Sequence, residues 1–189
     1  MERALLGNQN AKAWKNDFAL SGGHDVVLDL VTHWFDLMTF LINSKIRIEK
    51  SHFIKSYLNA ETPHRDTHCQ VLLEFESGVT ALGSVSKTAH GASNQLELNI
   101  VGEKQSAEWK FENPDQIIIG RGNSKCTLIR QNSIIGSGQS AYHATGWLEG
   151  YIEIIHQVIK QIDKSTLENI PDLNQSRDNM NYLLQLVKN

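Results

Sequence analysis

Ser21-Gly22-Gly23-His24-Asp25-Val26-Val27-Leu28-Asp29-Leu30-Val31-Thr32-His33-Trp34-Phe35-Asp36-Leu37 is the stretch around which the rest of the chain is organised. Ser21 and the two glycines form a turn signal, and a long amphipathic helix is predicted to begin near His24 or Asp25. Val27, Leu30, Trp34, Leu37 and Leu41 recur at helical spacing and predict an inward apolar stripe. Asp25, Asp29, His33 and Asp36 fall on a second stripe, roughly opposite. Asp25 and Asp36 read as an ordinary solvated helix face. Asp29 and His33 allow more. A carboxylate one turn before an imidazole can accept its ring N–H, fix the tautomer and raise the basicity of the other nitrogen. An imidazole so held can take a proton from a hydroxyl group.

Downstream, the pattern changes from helical to alternating. After the stop signal Asn43-Ser44, residues 46–58 read as a strand. Asp66 to Phe75 and Val79 to Ser86 form a hairpin around Gly78. Gln95–Val101 and Ser106–Phe111 form the next pair, and Gln116–Ile119 and Lys125–Arg130 another, around Gly120-Arg121-Gly122-Asn123. A second long helix covers Trp147–Ile162, with Leu148, Tyr151, Ile155, Val158, Ile159 and Ile162 inward. Arg177–Lys188 closes the chain as a helix, with Met180, Leu183, Leu184 and Val187 inward. Short strands joined by tight turns argue against alternating βαβ units. The expected fold class is α+β, an open and largely antiparallel sheet of about six or more strands with helices packed on one face.

The chain has 189 residues, 40% hydrophobic and 21% charged, with a formal net charge of −3. That length and balance suit one domain over residues 1–189 with a real core, or at most two small ones. Nothing in the charge pattern favours nucleic acid or an anionic membrane, and no apolar run approaches the roughly 20 residues of a membrane span. The N-terminal residues lack the apolar core of a signal peptide. Cys69 and Cys126 carry no pairing signature, so reduced thiols and a cytoplasmic location are expected. Gly136-Ser-Gly138-Gln-Ser-Ala141 matches a dinucleotide fingerprint in letters only, because no helix starts at the glycines and no parallel βαβ unit surrounds them. His24, Asp29 and His33 are metal-ligating types, as are His64 and His68. The latter two share no helical face, and the expectation is that no metal is bound.

The first stretch resembles the motif Gly-Gly-Gly-x-x-x-Asp-x-Gly-x-His-x-x-Asp of the Gfo/Idh/MocA family (glucose–fructose oxidoreductase, inositol dehydrogenase, rhizopine catabolism). Asp29, His33 and Asp36 stand at the matching positions, while His24 and Asp25 replace the second and third glycines and Val31 the last. The 66–86 hairpin, Val101-Gly102 with Trp109, the approach His143-Ala-Thr-Gly-Trp147, and Ile170 to Ser176 are similar to further family segments. The resemblance implies the C-terminal, dihydrodipicolinate reductase-like domain of a nicotinamide-dependent oxidoreductase acting on a sugar, cyclitol or related polyol. It implies Asp29 and His33 as catalytic residues. Trp14, His24 and His143 are substrate-binding candidates, although Trp14 reads equally as a plug over the core and His143 as a solvated loop imidazole. The family's NAD or NADP sits on an N-terminal Rossmann domain, which also supplies a lysine from a Glu-Lys-Pro motif. Neither is found in this sequence, so no cofactor is expected to bind this chain alone. The sheet implies a homodimer or higher homo-oligomer. A non-catalytic oligomerisation or scaffold module derived from the same family is the alternative.

Overall fold

The computed structural model describes residues 18–56, 66–92, 94–130, 147–162 and 173–188. They form two compact units, one from the first 90 residues together with residues 171–189, the other from residues 91–170.

The first unit is built on a helix over a small sheet. A short helical turn, Phe18–Ser21, ends at Gly22, whose φ of +71° suits glycine. The chain then enters a helix with a π-helical segment, Val27–Val31, that runs straight into α1, Thr32–Ile42. Asn43, in the left-handed conformation, stops α1 and donates its N–H to the Thr39 carbonyl at 3.0 Å. A 3-10 turn, Ile48–Lys50, leads to β1 (His52–Ser56), and β2 (His68–Glu74) and β3 (Thr80–Ser86) follow. The region read as one strand from residue 46 is therefore shorter, with Ile46 only bridging Phe75 before the 3-10 turn. The ladder order is β1-β2-β3, antiparallel throughout.

Strand period decides the core. Cys69, Val71, Leu73 and then Phe75 point one way and are fully buried, while Gln70 and Leu72 point the other way and are exposed. The covering layer is Val27, Val31, Phe35 and Met38 from the first helix, with Leu183 and Leu186 from α3 (Leu173–Lys188). The inward stripe expected from sequence, with Leu30, Trp34, Leu37 and Leu41, is displaced toward Val31, Phe35 and Met38, and Leu41 is exposed. The cause is the π turn. Its wider winding carries the buried line from Val27 to Val31 to Phe35, where a strict 3.6-residue period would drift away. α3 is likewise turned, with Leu183 and Leu186 inside and Met180 and Leu184 exposed. Asn179 ties the two helices together through Nδ2, which donates to Asp36 Oδ1 at 2.8 Å and to Thr39 Oγ1 at 3.0 Å.

Trp34 sits directly on β3. A Cβ built on Gly83 would lie 2.5 Å from Trp34 Cε2, so only glycine lets the indole approach the strand this closely. At the opposite end of β2, Glu74 Oε1 receives Lys50 Nζ at 3.0 Å and Arg47 at 3.1 Å. The Lys50 hydrogen bond, with Arg47 beside it, holds the Glu74 carboxyl below the ordinary glutamate range.

The second unit holds β4 (Glu97–Val101), β5 (Ser106–Lys110), β6 (Gln116–Arg121) and β7 (Ser124–Ile129), an antiparallel meander in sequence order. Arg121 pairs with Ser124, which leaves Gly122-Asn123 as a two-residue turn, and φ of Gly122 is +53°. Trp109 Nε1 donates to the Pro114 carbonyl at 3.0 Å across the β5–β6 turn. α2 spans Trp147–Ile162, as its periodicity predicts. The fold is α+β; among the described residues every strand pairing is antiparallel, and seven strands lie in ladders of three and four. Among the described residues, no helix is long and apolar enough to cross a membrane.

Candidate functional site

Asp29 lies in the middle of the π segment, and Asp25 just precedes that segment. Both carboxylates converge on one ammonium group. Lys87 Nζ is 2.7 Å from Asp29 Oδ2 and closer still to Asp25 Oδ1. Lys87 directly follows β3, where its backbone N–H donates to the Thr67 carbonyl at 3.1 Å. Thr88 donates its backbone N–H to Ser86 Oγ, also at 3.1 Å, which fixes the strand end. The lysine side chain is only 17% exposed and that of Asp25 21%, whereas Asp29 keeps 41%. Asp25 is therefore part of an ion-pair cluster, not of a freely solvated face. Two acids share one base.

His33 stands on the first turn of α1 and is exposed. Among the described residues no hydrogen bond or ion pair joins Asp29 to His33; the Asp29 carboxylate is turned to Lys87 instead. The two groups remain one helical turn apart, at the end of the helix where Lys87 approaches.

A buried acid supports the start of this helix. Asp66 is fully buried, and its Oδ1 accepts the Val26 N–H at 2.7 Å, capping a helix whose first N–H groups need partners. His24 Nδ1 lies 3.5 Å from Asp66 Oδ2. The structure thus gathers His24, Asp25, Asp29, Asp66 and Lys87 at one end of the helix and sheet, with His33 one turn on. Trp14 and His143 lie outside the described residues.

Lys87 and Asp66 are the members that sequence reasoning missed as site residues. Asp66 opens the hairpin pattern read from sequence and Lys87 directly follows its last residue, Ser86. The signal was present, since the first residue of one strand and the end of its hairpin partner meet at one edge of a sheet.

Of the two free cysteines, Cys69 is buried and Cys126 exposed. Burial pushes the Cys69 thiol up to about 12, with the Asp66 carboxylate adding to the effect and Lys55 opposing it. Cys69 is a core residue, not a nucleophile.

Comparison with known proteins agrees with the α+β fold. The sequence profile described as the GFO/IDH/MocA C-terminal domain matches residues 3–108. The chain belongs to the GFO/IDH/MocA oxidoreductase family. It is 27% identical over 172 residues to the uncharacterized oxidoreductase YfiI of Bacillus subtilis (strain 168), covering 87% of this chain and 43% of that protein. Its backbone is similar to an inositol dehydrogenase homolog from Azotobacter vinelandii complexed with NADH and myo-inositol (TM-score 0.73, 19% identity), over 95% of this chain and 50% of that one. An oxidoreductase domain protein from Kribbella flavida is similar over 93% of this chain and 50% of that one (TM-score 0.74, 15% identity). These likenesses establish the fold. The chain spans about half the length of the relatives it matches.

Proposed function

We propose that this chain is the substrate-binding, oligomer-forming part of a nicotinamide-dependent oxidoreductase that acts on a sugar, cyclitol or related polyol. The observation that carries this reading is Asp29, the acid of the family motif, held by Lys87 one turn before His33. The myo-inositol and NADH of the Azotobacter vinelandii homolog support the substrate and cofactor classes.

The described residues do not fit the cofactor's pyrophosphate. A dinucleotide grip needs a glycine turn between a parallel strand and a helix N-terminus, and every strand pairing here is antiparallel. The nicotinamide is therefore assigned to a nucleotide-binding domain outside the described residues. The part left to this chain is to bind the polyol and receive a proton. His33, exposed on the first turn of α1, accepts the proton of the reacting hydroxyl. Asp29, oriented by Lys87, hydrogen-bonds a substrate hydroxyl or the His33 ring once substrate is present. The Lys87 ammonium holds the Asp29 carboxylate in place for either task.

A scaffold reading draws on a different observation. The outer face of the three-stranded sheet exposes Ile54, Leu72 and Leu82, the last at 78%, which suits an interface between copies. The two readings separate on one residue. With this chain joined to a nucleotide-binding domain of the family, His33→Ala is expected to lower turnover roughly 100-fold while leaving the assembly intact. Unchanged turnover removes His33 from the chemistry. An assembly with no dehydrogenase activity on any polyol leaves the scaffold. This chain alone is expected to bind no NAD or NADP, and a titration signal at micromolar cofactor would overturn that.

A further inference from the structure

We propose that His24, with Nδ1 turned onto the buried carboxylate of Asp66, is a second imidazole of the site that offers Nε2 to a substrate hydroxyl. This rests on the polyol reading above, and adds Asp66 as a positioning residue acting through His24.

Asp66 is fully buried, and Oδ1 is committed to the Val26 N–H, so its carboxylate cannot swing away. Oδ2 is buried without a hydrogen bond among the described residues, and so is His24 Nδ1. The two atoms face each other at 3.5 Å. Buried polar groups are almost always paired, and a small rotation of the ring pairs these. A carboxylate can only accept, so Nδ1 carries the hydrogen. In the neutral ring, Nε2 then holds a lone pair and accepts. The His24 side chain keeps 37% of its surface exposed while Nδ1 is covered, so its open edge lies away from Asp66. The next residue in the chain, Asp25, already belongs to the Lys87 cluster. An acceptor imidazole and carboxylates at one helix start can bind neighbouring hydroxyls of one polyol.

The tautomer is measured on the chain as it stands. In a long-range proton–nitrogen spectrum of 15N-labelled protein, above about pH 8.5 where imidazoles are neutral, His24 should show the Nδ1–H form. His24→Gln assigns its signals by their loss. Asp66→Asn keeps an oxygen for the Val26 cap and should move His24 toward the Nε2–H form. An Nε2–H form in the unsubstituted protein overturns the pairing, whether or not the Asp66 variant folds. With a nucleotide-binding domain joined, His24→Gln should raise KM for the polyol about tenfold and change kcat far less. An unchanged KM overturns the substrate contact. His33→Ala in the same preparation tests the catalytic reading separately, because the tautomer does not depend on it.

Discussion

Lys87 shows how one side chain can govern a site without belonging to its motif. It neutralises Asp25, which stands where the family motif has glycine, and orients Asp29. Lys87→Met would remove the ammonium that the Asp25 and Asp29 carboxylates share at a half-buried position. We expect a loss of about 1–2 kcal/mol, trimmed by solvent screening around Asp29, read from urea denaturation. Asp25→Asn in the same background should recover part of it. A loss below about 0.5 kcal/mol would mean that water already screens the cluster. Cys69 gives a pH-dependent case. Its thiol titrates near 12 in the fold against an ordinary value of 9.0. Below pH 9 both states hold the proton and the stability contribution is complete. Above that the unfolded chain ionises first, so stability falls as pH rises from about 9 toward 12. Cys69→Ala should flatten this alkaline limb in denaturation curves measured against pH. If the two proteins lose stability in parallel, another group controls the limb.

The helix carrying Asp29 was legible in its existence and in its stop at Asn43, but not in its winding. The eleven apolar residues among Val26–Leu41 offer several acceptable inward stripes, and the π turn selects the one through Val31 and Phe35. Periodicity assumes one winding throughout, so an extra residue in one turn escapes it. Gly83 was invisible for another reason, since its role depends on an indole from a distant segment. Gly83→Ala forces a Cβ into Trp34 and should cost about 1–3 kcal/mol, measured as a lower denaturation midpoint. Trp34→Leu on top of it should return part of that loss. No loss would mean that the indole moves aside freely.

The antiparallel meanders and the α+β class follow from alternation and turn residues, and the strand pairs 68–86, 97–110 and 116–129 match their sequence patterns closely. Their division into ladders of three and four was not legible, because the break between β3 and β4, consecutive in sequence, leaves no mark in the alternation of either strand. Amphipathicity raises a related problem for α2. Its apolar stripe is plain in sequence, yet Tyr151, Ile155, Val158 and Ile162 are exposed in the chain. In the proposed oligomer, a second copy would cover the exposed outer face of the three-stranded sheet. Leu82→Lys places a charge opposite Leu72 on that face and is expected to give a monomer by light scattering, with the fold intact by circular dichroism. A persisting oligomer would place the interface elsewhere.

Local residue order determined the helix carrying an acid and an imidazole, the hairpins, and the family to which they belong, because turn chemistry and periodicity act over a few neighbouring residues. Only the folded chain decided that Asp29 pairs with a lysine 58 positions on, and that a buried aspartate backs His24. Those contacts join segments far apart in sequence, and their energies depend on burial that no short window records.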